Sequence, residues 1–381
     1  MSNKRRIAIV TGKRGGFGAM LGLMKLIDED PDMELILIVT DMHLSSFFGY
    51  TAKEVEKFFK ISYKLELEQE DDSCVERSLA LGRCLTKMTN ILSQARPDLL
   101  ITLGDRGEVL SACIAAMELN IPIAHILGGD VAGNRDGNRI HAITKLAHLH
   151  FPSSKDSLKR ILKLGEEPWR VFNVGATYVD YIVQQRYNPP DEVLKRYGIE
   201  NSENYFICIQ HPMTLQEGTS YEEAFELLSA LKKKGTKTLV VYPCSDQGYL
   251  GTISAIDKFR NEAIFSIHKN IEALDFWSLM SRATLFIGNS SAGLMETPYF
   301  NLPTVNVGHR QNGRVRDTNV IDVNPDMGSI IKGIEKGISN KFRETIVNHK
   351  IFGNGTAGSK IYNIIKNLNI DEKLIMKKIT Y

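Results

Sequence analysis

Short runs that are apolar on both faces recur along this chain, each followed by a longer amphipathic stretch. Leu35-Ile-Leu-Ile-Val39 and Leu99-Leu-Ile-Thr-Leu103 are two of them. A strand without a polar face must be covered on both sides, as in a parallel sheet flanked by helices. Strands are predicted at Arg6–Val10, Leu35–Val39, Leu99–Leu103, Pro122–Ile126 and Arg170–Val174. A second series follows at Tyr205–Ile209, Thr238–Val241, Ala263–Ile267, Thr284–Ile287 and Thr304–Val307. Helical patterns lie between them, most clearly at Ser73–Gln94 and Glu222–Lys234. The rhythm runs twice, which predicts an α/β protein with two Rossmann-like, doubly wound domains. A length of 381 residues suits two domains at ~150 residues each. The rhythm breaks near Gly175–Asp191, at a glycine, two prolines and the polar stretch Gln184-Gln-Arg-Tyr-Asn188. The expected domains are therefore 1–177 and 178–358.

Composition argues against several classes. Lysine and arginine number 47 against 45 acidic residues, which leaves no surplus charge to hold a nucleic acid. No segment approaches 18 successive apolar residues, so no membrane span is expected. The basic start Met1-Ser-Asn-Lys-Arg-Arg runs into an apolar stretch too short for a signal peptide, which reads instead as the first strand. Five scattered cysteines with no C-x-x-C argue against a disulfide scaffold or a zinc ribbon. These features predict a cytoplasmic protein. The lysine runs at 232–234 and near the C-terminus read as solvated helix faces.

Ligands of open α/β sheets bind beyond the carboxyl ends of the strands, and the unusual polar residues of this chain fall there. After the first strand comes Thr11-Gly-Lys-Arg14-Gly15-Gly-Phe-Gly18. Gly15 permits close approach of backbone to ligand, Arg14 offers a guanidinium, and a helix starting near Phe17 presents free N–H groups to an anion. The spacing is neither the dinucleotide fingerprint nor a Walker A loop, although Asp41 stands where an NAD site keeps its ribose-binding acid. A tight turn without a ligand is the alternative. His43 follows the second strand, where a histidine serves a ligand or the fold. Asp105 and Arg106 lie directly beyond Leu99–Leu103, where charges are costly unless paired or used. Leu127-Gly-Gly-Asp130 leads through Asp136 to His141 and His148, seven residues apart on one predicted helical face. A metal site is a conceivable reading, but the acids are not at recognised ligand spacings.

In the second half, Gln210-His211-Pro212 follows a strand. Gly288-Asn-Ser290-Ser291-Ala-Gly-Leu-Met-Glu296 follows another. Ser290 and Ser291 would cap the next helix and help cradle a phosphate, with Glu296 one and a half turns inside it, placed to accept from ribose hydroxyls. An ordinary N-cap with a surface glutamate is the alternative. Gly308-His-Arg310-Gln-Asn-Gly-Arg314 adds cations, and the ensemble points to a nucleoside diphosphate.

Together these motifs resemble the hydrolysing UDP-N-acetylglucosamine 2-epimerases of sialic-acid pathways, in family order and across nearly the whole chain. The resemblance implies a glycosyltransferase-B-like architecture with an interdomain cleft, and a final helix from about Ser359 (359–381) returning to the first domain. It also implies roles. Arg14 and His43 would line the nucleotide-sugar cleft, with Gly15, Arg106 and His141 beside them. Ser290, Ser291 and Arg310 would hold the diphosphate, and Glu296 the ribose. Asp105, Asp136 and His211 match positions tied to proton transfer or leaving-group charge. The implied reaction eliminates UDP to leave 2-acetamidoglucal and then adds water, releasing N-acetylmannosamine. It needs no NAD or other cofactor and, by family likeness, no metal. Family members are often dimers or tetramers.

Two departures stand out. The family's glutamate before the Gly-Gly pair is Leu127 here, and its Arg-Ala-Asp-Tyr loop reads Arg14-Gly-Gly16-Phe. A general acid–base group is worth ~10²–10⁴-fold in rate, so Asp130, Glu108 or Asp136 would have to compensate. Leucine could instead suit a less polar sugar, a 2,4-diacetamido-2,4,6-trideoxyhexose on UDP or GDP. A glycosyltransferase of the same architecture, and a non-catalytic nucleotide-sugar binder, are the remaining readings.

Overall fold

The computed structural model describes residues 4–214 and 218–381; Met1–Asn3, the head of the basic start, and Leu215–Glu217 lie outside the described residues. The strands are β1 Arg5–Thr11, β2 Met33–Thr40, β3 Tyr63–Leu65, β4 Leu99–Leu103, β5 Ile123–Ile126 and β6 Leu149–Phe151. They continue with β7 Tyr205–Ile209, β8 Lys237–Val241, β9 Phe265–His268, β10 Leu285–Gly288, β11 Thr304–Val307 and β12 Val320–Val323. Two six-stranded sheets result, ordered β3-β2-β1-β4-β5-β6 and β12-β11-β10-β7-β8-β9, and every pairing is parallel. Renumbered from its own first strand, the second sheet repeats the order of the first, the arrangement of a dinucleotide-type doubly wound fold.

The chain divides into two compact units. One comprises 1–131, 135–184 and 351–381, and the other 132–134 and 185–350. In the first, the helix Cys74–Ala95 starts on Ser73, whose hydroxyl accepts from the Glu76 N–H, and ends at Arg96 in the left-handed region. Its Ala80, Cys84, Met88 and Leu92 recur every four residues and are fully buried against the sheet residues Ala8, Val10 and Leu100. In the second, Leu227 and Leu231 of the helix Ser220–Lys234 pack with Cys208, Ile287 and Val305 in the same way.

Three strands were not legible. β3 and β6 span three residues each, too few to show a period, and β12 carries Asp322 in its middle. The strand expected at Arg170–Val174 does not form; a 3₁₀ turn covers Pro168–Arg170, and only Val171 bridges to His150. The reason is Arg170, which is fully buried. Its guanidinium donates to the carbonyls of Leu374 (2.7 Å), Lys373 (2.8 Å) and Met376 (3.2 Å), capping the short helix Glu372–Ile375.

The C-terminal segment begins with a helix at Ala357–Lys366, two residues before the expected start. Asp180 accepts from the N–H groups of Ala357 (2.9 Å) and Gly358 (2.6 Å) at its N-terminus, where a carboxylate is favoured. Among the described residues, no helix is long and apolar enough to cross a membrane.

Replacing Arg170 with methionine leaves those buried carbonyls without their donor. It should lower the stability of the first unit by about 3 kcal/mol, read by chemical denaturation, and open residues 370–381 to limited proteolysis.

Candidate active site

Open doubly wound sheets bind ligands where the strand order reverses. In the first sheet that point lies between β1 and β4, and in the second between β7 and β10. The four loops there are Gly12–Lys13, Gly104–Arg106, Gln210–Pro212 and Asn289–Ser291. The loops after β1, β4, β7 and β10 therefore bring four of the polar motifs to the two switch points, and the others follow the neighbouring strands β2, β5 and β11.

At the first switch point most of the charge is used internally. Asp41, at φ +49°, accepts from Arg106 at 2.6 Å and lies 3.7 Å from Arg77. Glu108 takes Arg106 at 3.1 Å and Arg77 at 3.2 Å. All four are buried. Burial works to raise Glu108, but the two guanidiniums outweigh it and hold its carboxyl below the usual range. Burial and the neighbouring Glu108 push Asp41 upward. A Cβ on Gly12 would stand 2.4 Å from Glu108 Oε1, so the loop glycine makes room for this cluster. Asp41 is thus a fixed partner of Arg106 rather than a ribose acceptor. Arg106, expected to touch substrate, is bound into the same cluster.

His43 was also expected in the site. It is fully buried, with Nε2 at 3.0 Å from Thr11 Oγ1 and Nδ1 at 2.7 Å from Thr51 Oγ1, and burial pushes it down to about 4. Both ring nitrogens are committed within the fold. His148 lies beyond the helix Asp136–Leu146 rather than on a shared face with His141. Its Nδ1 accepts from the Ile123 N–H at 3.0 Å.

Three acids remain. Asp105 follows the left-handed Gly104 and is half-buried; among the described residues, no hydrogen-bond donor reaches its carboxylate. Asp130 is buried and accepts from the hydroxyls of Ser157 and Ser153. Asp136 opens the helix Asp136–Leu146 and accepts from Arg139 at 3.2 Å. His141, in the same helix, is half-buried, and among the described residues its Nδ1 has no hydrogen-bond partner. Burial lowers its pKa, Arg160 adds to this, and Asp130 opposes it. Leu127 adopts φ +63°, a strained setting for leucine, and the loop presents its acid three residues later at Asp130. The helix after β1 begins at Arg14, not near Phe17, so Arg14 and Gly15 form its first turn. Gly15 is exposed, with nothing within 4 Å of where a Cβ would stand.

At the second switch point, Asn289 ties the two central loops together. Its Oδ1 accepts from the His211 N–H (2.7 Å) and its Nδ2 donates to the His211 carbonyl (2.9 Å). The His211 Nδ1 accepts from the Cys244 N–H at 3.1 Å, which places the proton of the neutral ring on Nε2. Gln311 Nε2 (2.7 Å) and Arg310 (3.3 Å) both donate to the Asn289 carbonyl. Ser290 Oγ accepts weakly from the Ala292 N–H at 3.4 Å, while Ser291 occupies the N-cap position without a side-chain cap bond. The helix is a single turn, Ala292–Met295, so Glu296 lies at its end rather than inside it. Burial raises the Glu296 carboxyl to about 7, opposed by the Trp277 indole N–H, which donates to Oε2 at 2.7 Å. Asn289 and Trp277 were not picked out from the sequence. Asn289 stood inside a recognised motif, but nothing in the spacing linked Trp277 to Glu296.

The family model described as UDP-N-acetylglucosamine 2-epimerase matches residues 25–366. The chain belongs to the UDP-N-acetylglucosamine 2-epimerase family. Within it, the chain is similar to the hydrolysing UDP-N,N'-diacetylbacillosamine 2-epimerase of Legionella pneumophila, 31% identical over 375 residues and covering 98% of each chain. It is likewise similar to the hydrolysing GDP/UDP-N,N'-diacetylbacillosamine 2-epimerase of Campylobacter jejuni, 31% identical over 346 residues and covering 90% of each. The crystal structure of the Neisseria meningitidis UDP-GlcNAc 2-epimerase bound to UDP-GlcNAc shares the fold. Its TM-score is 0.79 at 17% identity, covering 95% of this chain and all of that one.

The Glu296 carboxyl keeps its proton to about pH 7 in the fold, against an ordinary value of 4.5. The folded state therefore binds more protons in that window, and stability falls as pH rises through it. Glu296→Gln should remove this component: the difference in melting temperature, variant minus wild type, rises from pH 4.5 to pH 7 and is flat above.

Proposed function

We propose that the chain is a hydrolysing 2-epimerase of a UDP-linked 2-acetamido sugar, converting UDP-N-acetylglucosamine to N-acetylmannosamine and UDP. The observation that carries this reading is Asp105. It is a half-buried carboxylate beside a quartet of charges that are paired with one another, so it is the group left to take a proton.

The C2 hydrogen of the sugar has no neighbouring carbonyl to acidify it, so cleavage of the C1–O bond leads. The bonding electrons leave with the UDP oxygen and C1 gains oxocarbenium character. Asp105 removes the C2 proton to give 2-acetamidoglucal. Water then adds, its hydroxyl to C1 and a proton to C2 on the opposite face, and Asp130 and Asp136 are the carboxylates for that second transfer. His211, protonated on Nε2, donates to the departing phosphate oxygen. Arg310 and the N–H groups of the Ser290–Ser291 turn hold the diphosphate where its charge develops, and Glu296 accepts from the ribose. Arg14, Gly15 and His141 complete the sugar side.

A second reading keeps this chemistry and changes the sugar to UDP-N,N'-diacetylbacillosamine. It is favoured by the likeness over 98% of the chain to an enzyme named for that substrate and by the apolar Leu127 in the acid-bearing loop.

Turnover in D2O should release UDP and a manno-configured sugar carrying deuterium at C2; unlabelled gluco-configured sugar would mark simple hydrolysis, and no turnover on either sugar a binding protein. The ratio of kcat/KM on the two nucleotide sugars chooses between them. Asp105→Asn should lower kcat by about 10²–10⁴-fold with UDP affinity unchanged by calorimetry.

A further inference from the structure

His125 is fully buried in β5, between Ala124 and Ile126. An aliphatic side chain would suit that strand better, and the proposed chemistry does not use the imidazole. Its contacts show what it does. Nε2 lies 2.7 Å from the carbonyl oxygen of Gly104. A carbonyl only accepts, so Nε2 carries the proton and Nδ1 is bare. Burial pushes the ring down to about 4, which keeps it neutral and in this one tautomer at pH 7.

The carbonyl it holds belongs to the peptide whose nitrogen is that of Asp105. Gly104 sits at φ +77°, in a conformation with little side-chain restraint. Its N–H is fixed by Ile126 O at 2.9 Å, and the imidazole fixes its other end. On its far side, Nδ1 lies 3.5 Å from Thr144 Oγ1, in the helix that Asp136 opens. A Cβ on Gly128 would stand only 2.7 Å from Nδ1, so the loop leading to Asp130 packs directly on the ring. One neutral imidazole therefore touches the three segments that carry Asp105, Asp130 and Asp136.

We propose that His125 is a positioning residue that sets these three carboxylates in register, Asp105 through the Gly104 carbonyl and the segments of Asp130 and Asp136 through its contacts with Gly128 and Thr144. This rests on the proposed roles of those acids. A displacement of about 1 Å in a reacting group can cost about 10²-fold in rate, which is the scale of effect expected.

The test compares three variants of the full chain by steady-state kinetics on the turned-over nucleotide sugar, by UDP calorimetry and by melting temperature. His125→Phe fills the ring's volume without a donor, His125→Gln keeps an N–H that can reach Gly104, and Gly128→Ala presses on the ring while deleting no donor. The expected result is a fall in kcat of about 10²-fold for His125→Phe, with UDP affinity unchanged. His125→Gln should recover about a tenfold part of that loss, and Gly128→Ala should fall between wild type and His125→Phe. Equal kcat for the Phe and Gln variants, a loss confined to KM, or wild-type kcat in Gly128→Ala would overturn the proposal. Should Phe prevent folding, wild-type kcat in both His125→Gln and Gly128→Ala overturns it. Asp105→Asn decides which idea has failed. Wild-type turnover there removes the reading of Asp105 and this inference with it, whereas an inactive Asp105→Asn beside a fully active His125→Phe removes this inference alone.

Discussion

The buried quartet of Asp41, Arg77, Arg106 and Glu108 governs the first unit's site. Four charges out of water are tolerable only because each acid meets guanidinium nitrogens from two directions, and removing any one of them would strand its partner at a cost of several kcal/mol. The quartet joins the end of β2, the loop after β4 and the first turns of the helix Cys74–Ala95. It also dictates glycine at position 12, where Glu108 occupies the space of a side chain. Because Arg106 is drawn inward, its neighbour Asp105 is left outward. The acid proposed to take the proton is thus set apart by the fate of the residue next to it.

This explains what the sequence could and could not convey. The two sheets were legible because strands buried on both faces leave continuous apolar runs, and the switch-point loops were legible because glycines and charges interrupt those runs. The resemblance of the motifs as an ordered set led to the family. Individual roles were less legible. His43, Arg106 and Asp105 looked alike, as polar residues just past a strand end, yet two are consumed by the fold and one is not. That difference lies in Thr11 and Thr51 around His43 and in the cluster of Asp41, Arg77 and Glu108 around Arg106; only Glu108 is a near neighbour in sequence, and the others leave no trace in the spacing around Arg106. The strand expected at Arg170–Val174 failed for a similar reason, since the partners of Arg170 lie some 200 residues further on. Glu296 was found, but its helix was drawn too long, because a single helical turn breaking into a 3₁₀ turn looks in sequence like one continuous helix.

Histidine illustrates the point further. His125 and His211 each have a ring nitrogen engaged by a backbone group that selects one tautomer, His43 has both nitrogens on threonine hydroxyls, and desolvation keeps His43 and His125 uncharged. In the second unit the same device leaves His211 with a proton on the nitrogen turned away from the Cys244 amide. An imidazole held this way is a fixed dipole rather than a floating acid, which suits the proposed donation to a leaving group whose charge appears only briefly.

The first unit is discontinuous in sequence, with residues 185–350 inserted before its last segment. Asp180 and Arg170 therefore wait for helix ends that are synthesised nearly two hundred codons later. At a ribosomal rate of about 5–20 residues per second, that is an interval of roughly ten seconds or more. During it the second sheet has all of its strands and can close on its own, while the first keeps a buried guanidinium and a carboxylate facing nothing. The inserted half can thus mature first on the ribosome, and the half that carries the acids is completed only when the final thirty residues emerge.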